Sequence, residues 1–244
     1  MDPIPTLDPH RILAVVLARG GSRGIPRKNL RPFDGVPLVG RAIRTLLGVR
    51  EIDRVVGSTD DVEIASVVLD HGGQIPFLRP EELARDETPS MDALADTVRR
   101  LVEAGERAGT VVLFQATSPG CTSEQVSEAI RLFGNSTASY LKSVTAVREH
   151  PHWMGVVSEG HFRFLVPADE RAKRRQDLPP VYRLNGAVSV YETERILTGT
   201  AEEGEPVALI MDEASSVDID TIEDWERAEA LLTRLNRPTR SART

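Results

Sequence analysis

The sequence predicts an α/β fold with a mostly parallel central sheet, and three observations lead to this prediction. The apolar run at residues 12–18 has no polar alternation and ends in glycines, which is typical of a buried parallel strand. Strand and helix patterns then alternate along the chain, which favours parallel strands joined by helices. A chain of 244 residues with 40% hydrophobic content can also bury a sizeable core.

A glycine-rich basic segment directly follows this first strand, at residues 19–29. It contains three glycines and four cations, namely Arg19, Arg23, Arg27 and Lys28. Glycine allows a backbone to approach a ligand closely, and consecutive amides can form an anion-binding concavity. In open α/β sheets, ligands bind beyond the carboxyl ends of the strands, where this segment lies. The segment therefore predicts a polyphosphate site, although its spacing matches neither common phosphate motif. The alternative is a solvated basic turn.

The remaining elements follow in a regular order along the chain. Helical spacing of apolar residues predicts a helix at 37–49, and Asp61 is suited to cap the next one. Further helices are predicted at 91–104, 123–133 and 222–235, and further strands at 52–59, 110–117, 139–147, 188–191 and 207–211. A hairpin pattern at 156–165 breaks this rhythm. We therefore predict a single domain over residues 1–244 with a small insertion at 148–182.

The composition limits the expected partners and compartment. The net charge of −7 argues against general nucleic-acid binding, which usually requires a basic balance. Residues 1–10 lack the apolar core of a signal peptide, and no apolar run is long enough to span a bilayer. The single cysteine, Cys121, excludes an intrachain disulfide. We expect a cytoplasmic protein whose partners include neither nucleic acid nor a membrane.

Two carboxylates one residue apart lie near the C-terminal end, at Asp218 and Asp220. In an extended segment, alternate side chains point the same way, so both carboxylates would face one side. Such a pair suits a hard divalent cation that keeps several waters and bridges phosphate oxygens. A lone D-x-D pattern is a weak signal for such a site.

Residues 18–29 (A-R-G-G-S-R-G-I-P-R-K-N) resemble the signature A-R-G-G-S-K-G-I-P-x-K-N of the acylneuraminate cytidylyltransferases, which are CMP-sugar synthetases. Arg23 stands where that family usually has lysine. The resemblance implies a Rossmann-like nucleotidyltransferase fold. It also implies transfer of CMP from CTP to the anomeric hydroxyl of a sialic acid-like nonulosonic acid, with release of pyrophosphate. The nucleotide-binding residues that it implies in this segment are Arg19, Gly20, Ser22, Arg23, Lys28 and Asn29.

Three further segments resemble motifs of the same family. Residues 77–90 resemble a segment that helps to hold the cytidine, which implies this role for Arg79 and Ser90; a plain loop followed by a helix N-cap at Ser90 is the alternative. Residues 115–121 (Q-A-T-S-P-G-C) resemble Q-P-T-S-P-L-R, whose glutamine contacts the sugar acid and corresponds to Gln115. Residues 216–221 (S-V-D-I-D-T) resemble S-x-D-I-D-T, which implies that Asp218 and Asp220 hold Mg²⁺.

The insertion resembles the dimerisation arm of this family, which reaches toward the site of the partner subunit. Residues 174–179 (R-R-Q-D-L-P) and 182–187 (Y-R-L-N-G-A) resemble R-R-Q-x-L-P and Y-R-P-N-G-A. The resemblance implies a homodimer and substrate-binding roles for Arg174, Arg175, Gln176, Arg183 and Asn185. A solvated charge run is the alternative for residues 171–175.

The resemblance therefore implies an enzyme that uses CTP, a sugar acid and Mg²⁺. The catalytic residues that it implies are Arg19, Lys28, Asp218 and Asp220. One alternative is CMP transfer to another acid, such as Kdo, pseudaminic or legionaminic acid, or a phosphonate. A second alternative is a non-catalytic nucleotide-binding module, but such a binder would not need Lys28 together with both aspartates.

Overall fold

The computed structural model describes residues 4–167 and 174–235, and a six-stranded sheet lies at its centre. The strands of the chain are β1 (Asp8–Leu17), β2 (Pro32–Phe33), β3 (Val36–Pro37), β4 (Arg54–Ser58), β5 (Ala108–Gln115), β6 (Tyr140–Ala146), β7 (Gly155–Ser158), β8 (His161–Phe164), β9 (Tyr182–Glu192) and β10 (Val207–Met211). The α-helices are α1 (Leu38–Leu47), α2 (Val62–Asp70), α3 (Ser90–Glu103), α4 (Ser123–Gly134), α5 (Thr193–Thr198) and α6 (Ile222–Leu235).

The central sheet has the strand order β10-β6-β9-β5-β1-β4. Strand β1 runs parallel to β4 and β5, and β10 runs parallel to β6. Strand β9 is antiparallel to both of its neighbours, β5 and β6. The prediction of an α/β fold with a mostly parallel sheet is therefore confirmed.

Strand β9 begins at Tyr182, earlier than the predicted start at residue 188. Polar residues in its first half conceal the strand pattern from a reading of the sequence. One of them, Asn185, is 3% exposed, and its side chain bonds Ser143 on β6 and Ser216 beyond β10. A buried amide is tolerated in a central strand when its polar groups are satisfied in this way.

Apolar side chains cover both faces of the sheet. Ala14 and Val16 of β1 belong to a cluster with α1, α2 and α4, whereas Leu13 and Val15 belong to a cluster with α3 and α5. Residues 13–16 of β1 are thus buried on both faces, as the continuous apolar run predicts. The basic segment begins just after the carboxyl end of this buried strand.

A third apolar cluster joins the two segments that carry the candidate phosphate and metal residues. We call residues 19–29 the basic loop and residues 216–221 the carboxylate segment. Val217 and Ile219 of the carboxylate segment pack with Ile25 of the basic loop. Phe33 and Trp225 complete the cluster, with ring centroids 5.4 Å apart. Burial of alternate apolar side chains leaves the two aspartates on the opposite side, as predicted.

The helix ends next to these segments are capped largely as the sequence predicts. Asp61 accepts hydrogen bonds from the amides of Glu63 and Ile64 at the start of α2. At α6, Thr221 and Asp224 form a reciprocal pair, with backbone-to-side-chain distances of 2.9 and 3.2 Å. Ser90 differs, because it is the first residue of α3 and its side chain makes no capping bond; the N-cap is Pro89. The alternative reading of Ser90 as an N-cap is therefore wrong.

The predicted hairpin is present as β7 and β8, which form a two-stranded sheet separate from the central one. All four residues of β8 are exposed, including Phe162 and Phe164. Residues 168–173 of the predicted insertion lie outside the described residues. None of the helices in the described ranges has the length and apolar character of a membrane-spanning segment.

The close packing of the basic loop on the carboxylate segment gives a test of this architecture. A Cβ added at Gly24 would lie 1.9 Å from the carbonyl oxygen of Asp220, whereas one at Gly21 would meet no atom within 4 Å. We expect Gly24→Ala to lower the free energy of unfolding by roughly 1–3 kcal/mol, because backbone must move to relieve the clash. Gly21→Ala should change it by less than about 0.5 kcal/mol. Urea denaturation measures both, and equal stability of the two variants would contradict this packing.

Candidate active site

A cavity of about 380 Å³ opens at the carboxyl ends of β1 and β5, next to Leu17 and Gln115. Its walls come from the basic loop, the carboxylate segment and residues 79–90, which we call the 79–90 segment. This is the edge at which open α/β sheets bind ligands. The predicted residues that line the cavity are Arg19, Ser22, Lys28, Asn29, Arg79, Ser90, Gln115, Asp218 and Asp220.

Neighbouring side chains and close packing hold the basic loop in place. The amide of Gly20 donates to Asp60 Oδ1 at 2.9 Å, and Asn29 Nδ2 donates to the carbonyl oxygen of Arg19 at 3.0 Å. A Cβ at Gly20 would lie 2.7 Å from Asp61 Oδ2. Of the three glycines, Gly21 lines the cavity, whereas Gly20 and Gly24 are needed where the loop packs against other segments. Two of the glycines therefore shape the loop rather than contact the cavity.

Lys28 links the basic loop to the carboxylate segment. Its Nζ donates to the carbonyl oxygen of Ile219 at 2.6 Å and to Asp220 Oδ1 at 2.8 Å. The Lys28 side chain is 11% exposed, whereas that of Asp220 is 71% exposed. The Lys28 ammonium is thus buried and held by two acceptors, while the Asp220 carboxylate remains exposed at the cavity.

Asp218 is the more buried of the two aspartates. Its Oδ1 is buried and has no hydrogen-bond partner among the described residues, while the hydroxyl of Thr117 bonds the carboxylate. Burial and the nearby Asp220 charge raise the pKa of Asp218 above its usual value. An unpartnered buried carboxylate oxygen beside a second carboxylate fits a bound cation.

The described residues contain no cluster of three or more histidine, cysteine, aspartate or glutamate side chains that could hold a metal ion. The pair of Asp218 and Asp220 is nevertheless sufficient for Mg²⁺, which usually keeps several waters and binds one or two carboxylates together with substrate phosphates. The residues present therefore fit Mg²⁺ as a phosphate-bridging ion.

Arg79 also lines the cavity and is 7% exposed. Its guanidinium donates to the hydroxyl of Ser58 at 3.1 Å and to the Ser58 carbonyl oxygen. Burial lowers the pKa of Arg79 below its usual value, although the group stays protonated at neutral pH. Ser90 and Thr88 line the same cavity. The 79–90 segment thus offers a fixed arginine and hydroxyl groups.

Acidic side chains of the 79–90 segment contact the outer cations of the basic loop. Asp86 forms ion pairs with Arg19, at 2.5 Å, and with Arg23. Glu87 forms a second pair with Arg23, at 3.3 Å. The Arg23 side chain is 73% exposed and does not line the cavity. Arg27 pairs with Asp61 and Glu63 and also lies away from the cavity.

The predicted substrate-binding residues of the insertion and β9 do not line this cavity. Arg174 is exposed and pairs with Asp177 at 2.7 Å, and Gln176 is also exposed. Arg183 is exposed on β9, whereas the Asn185 side chain is engaged in the internal bonds described above. The side chain of Arg175 lies outside the described part of the structure.

Several residues that line the cavity are absent from the sequence prediction, namely Leu17, Gly21, Leu83, Arg85, Asp86, Thr88, Ala93, Thr117 and Gly186. Thr117 had a usable signal, because it lies two residues after Gln115 within the same motif. Asp86 likewise lies within the segment that carries Arg79. Gly186 likewise lies within the motif at residues 182–187 that carries Arg183 and Asn185, although its place at the cavity depends on the early start of β9.

The loop after β5 departs from the family motif at Ala116, Gly120 and Cys121. A Cβ at Gly120 would lie 2.3 Å from the carbonyl oxygen of Ala214, so this position has no room for a side chain. Cys121 is 4% exposed, and burial raises the pKa of its thiol to about 12. Such a thiol is a poor nucleophile. This loop thus contributes close packing rather than a reactive group.

Sequence comparisons find relatives that match almost the whole chain. The family model described as "Cytidylyltransferase" matches residues 13–231. The CMP-N,N'-diacetyllegionaminic acid synthase of Legionella pneumophila is 31% identical over 231 residues, which cover 91% of this chain and 96% of that protein. The pseudaminic acid cytidylyltransferase of Campylobacter jejuni is 29% identical over 228 residues, which cover 90% of this chain and 95% of that protein.

Solved structures share the fold. A structure of CMP:2-keto-3-deoxy-manno-octonic acid synthetase complexed with CTP superposes with a TM-score of 0.68 at 16% identity, and covers 92% of this chain and 99% of that one. The family match spans both the basic loop and the carboxylate segment, which line the cavity. The chain therefore belongs to the cytidylyltransferase family and is a nucleotidyltransferase.

Proposed function

We propose that this protein transfers CMP from CTP to a nonulosonic acid and releases pyrophosphate. One observation carries the proposal: a cationic, glycine-rich loop and a pair of carboxylates line one cavity, and Lys28 joins them. This arrangement suits a polyphosphate with a cation at its reacting phosphorus. The names of the two bacterial relatives support an acceptor of the nonulosonic class.

The nucleotide would lie between the basic loop and the 79–90 segment. Arg19, Ser22 and Lys28 line the cavity and would hold the triphosphate, together with backbone amides of the loop. Arg23 would join them on release from Asp86 and Glu87. Asn29 would contact the nucleotide, and Arg79 and Ser90 would hold the cytidine. The buried setting of Arg79 supports base selection, because a fixed donor in a dry site discriminates strongly against a mismatched partner.

Asp218 and Asp220 would hold Mg²⁺, which would neutralise charge on the α-phosphate and the acceptor oxygen. Lys28 has a separate role. Its ammonium, 2.8 Å from Asp220 Oδ1, offsets the repulsion between two neighbouring carboxylates. It also fixes the carboxylate segment through the Ile219 carbonyl oxygen. Lys28 thus holds the carboxylate segment in place.

The proposed reaction is an in-line displacement at the α-phosphorus. The anomeric oxygen of the acceptor forms the new bond to phosphorus, while the bond to the oxygen that bridges to the β-phosphate breaks. Pyrophosphate leaves with that electron pair, and the hydroxyl proton passes to water. No histidine lines the described cavity, so the residues present act by positioning and by neutralising charge.

The acceptor would lie at the end of the cavity formed by Gln115, Thr117 and Gly186. The cations that line the cavity are Arg19, Lys28, Arg79 and Arg85, all from the basic loop or the 79–90 segment. None of the described cavity cations comes from β5 or β9, which carry Gln115 and Gly186. A carboxylate at this end would therefore need an arginine from elsewhere, for which Arg183, Arg174 and Arg175 are the candidates.

We propose that a second copy of the chain supplies this arginine, within a homodimer. The β7–β8 hairpin presents large apolar side chains to solvent, with Val157 70% and Phe162 53% exposed. Exposed apolar groups that lie together mark interaction surfaces in soluble proteins. The insertion that carries this hairpin also carries Arg174 and Arg175, so pairing through the hairpin would bring these cations near a neighbouring site.

The two aspartates are tested by removing one charge from each. We expect Asp218→Asn and Asp220→Asn each to lower kcat by about 100-fold to 1,000-fold, because charge stabilisation at the reacting phosphate is lost. The circular dichroism spectrum should stay unchanged. Glu223→Gln is the matched control, because it also removes one negative charge, at an exposed residue in the first turn of α6. Near wild-type pyrophosphate release by either aspartate variant at saturating Mg²⁺ would refute the metal assignment.

The substrate class is tested by pyrophosphate release from CTP or UTP with a panel of acceptors. CTP should react far faster than UTP, because uracil would leave buried groups of the base site unpaired. N-acetylneuraminic, legionaminic, pseudaminic and Kdo acids form the main panel, with small phosphonates and neutral hexoses beside them. We expect turnover with a nonulosonic acid; turnover only with phosphonates or neutral sugars would contradict the acceptor class. Equal rates with both nucleotides would contradict the base assignment.

The homodimer is tested by sedimentation velocity. The wild-type chain should sediment as a dimer, and Phe162→Asp should shift it toward monomer because a charge would be buried at the interface. Val62→Asp is the matched control, since Val62 is 69% exposed on α2, outside the hairpin. A mixture of Arg174→Ala and Asp220→Asn chains should also regain part of the activity that each lacks. A monomeric wild-type chain would exclude the shared site.

A further inference from the structure

Asp86 occupies the two outer arginines of the basic loop. Its Oδ1 lies 2.5 Å from Arg19 Nη1, and its Oδ2 accepts from Arg23 Nε. The hydrogen bond from Arg23, together with Arg19, holds the pKa of Asp86 below its usual range, so this carboxylate is ionised at neutral pH. Two of the cations expected to meet the triphosphate are therefore already paired with an acidic group of the same chain.

The 79–90 segment that carries Asp86 is fixed at both ends. Arg79 is anchored on Ser58, and Ser90 begins α3. Between these points, Thr88 closes an internal turn, with its amide donating to the carbonyl oxygen of Arg85 at 3.2 Å and its hydroxyl donating to that of Glu82 at 3.0 Å. The Asp86 carboxylate thus lies on a loop that is held in place by these bonds, and Asp86 lines the cavity.

A phosphate group and a carboxylate use the same geometry on an arginine, since both accept parallel N–H bonds. A polyphosphate at the basic loop would therefore compete with Asp86 for the same donors. The Asp86 side chain is 30% exposed, so the carboxylate can be solvated when it is displaced. Exchange between the two partners is then a local movement that leaves the fold intact.

We propose that Asp86 competes with polyphosphate for Arg19 and Arg23, and that its return to these arginines promotes the release of pyrophosphate. Asp86 would act after the α-phosphorus has been transferred, when the leaving group still occupies the basic loop. Its role is not catalytic, because it sets how tightly the loop retains a leaving group. This inference rests on the proposed function, since it assumes that the basic loop binds phosphate.

The test is calorimetric titration of the full chain with inorganic pyrophosphate and, separately, with cytidine. We expect Asp86→Asn to bind pyrophosphate ~fivefold more tightly than the wild type, because a partly exposed competing ion pair is lost. Cytidine carries no phosphate, so its affinity should not change. The inhibition constant of pyrophosphate in the forward reaction should fall by the same factor. A merely structural role of Asp86 would instead weaken both ligands.

Two further variants separate the effect of the ion pair from that of net charge. Glu82→Gln removes one negative charge from an exposed position of the same segment and should leave pyrophosphate affinity unchanged. Asp86→Glu keeps the charge and should stay close to the wild type. Unchanged or weaker pyrophosphate binding by Asp86→Asn would overturn this inference alone. Absence of pyrophosphate and CTP binding by the wild type would overturn both the inference and the proposed phosphate site.

Discussion

The candidate site depends on the contact between Lys28 and the carboxylate segment. The Lys28 ammonium bonds two residues that are distant from it in the sequence. These are Ile219, through its carbonyl oxygen, and Asp220, through its carboxylate, which lie 191 and 192 positions after Lys28. Gly24 supports the same contact, because only a residue without a Cβ fits against the Asp220 carbonyl oxygen. The buried Ile219 side chain packs in an apolar cluster, which stabilises this contact. Because the basic loop and the carboxylate segment are held against each other, cationic and acidic side chains line the same cavity.

The cavity combines groups of both signs, and their arrangement decides what it can bind. Asp86 pairs with Arg19, and Asp220 pairs with Lys28. Asp218 differs, since one of its oxygens is buried without a partner in the described structure. A ligand that carries both negative phosphates and a divalent cation would satisfy all of these groups together. A simple anion would leave Asp218 without a compensating charge, which supports the proposal that a metal-bound nucleotide binds here.

Local patterns were enough to predict much of the fold. The buried strand β1, the Asp61 cap and strand β10 all depend on periodicity or on a few neighbouring residues, and each is present. The burial of alternate residues in the carboxylate segment also followed from the sequence. The cavity brings together both motifs singled out from residue type alone, the basic loop and the D-x-D pair.

Features that depend on distant parts of the chain could not be predicted in this way. The early start of β9 requires Ser143 and Ser216 to satisfy Asn185, and neither lies near it in the sequence. The same bonds explain why Asn185 is buried away from the cavity. The partners of Arg23 were hidden for a similar reason, because Asp86 and Glu87 belong to another loop. Such contacts become visible only when the sheet places these segments side by side.

We propose that nucleotide phosphates and a divalent cation share the cavity lined by the basic loop and the carboxylate segment. A crystal structure with CTP and Mn²⁺, with anomalous scattering used to locate the manganese, tests this proposal. We expect a manganese peak bound by Asp218 and Asp220 and in contact with the α-phosphate, with the β- and γ-phosphates on the basic loop. A manganese peak away from both aspartates, or a triphosphate bound outside this cavity, would contradict it.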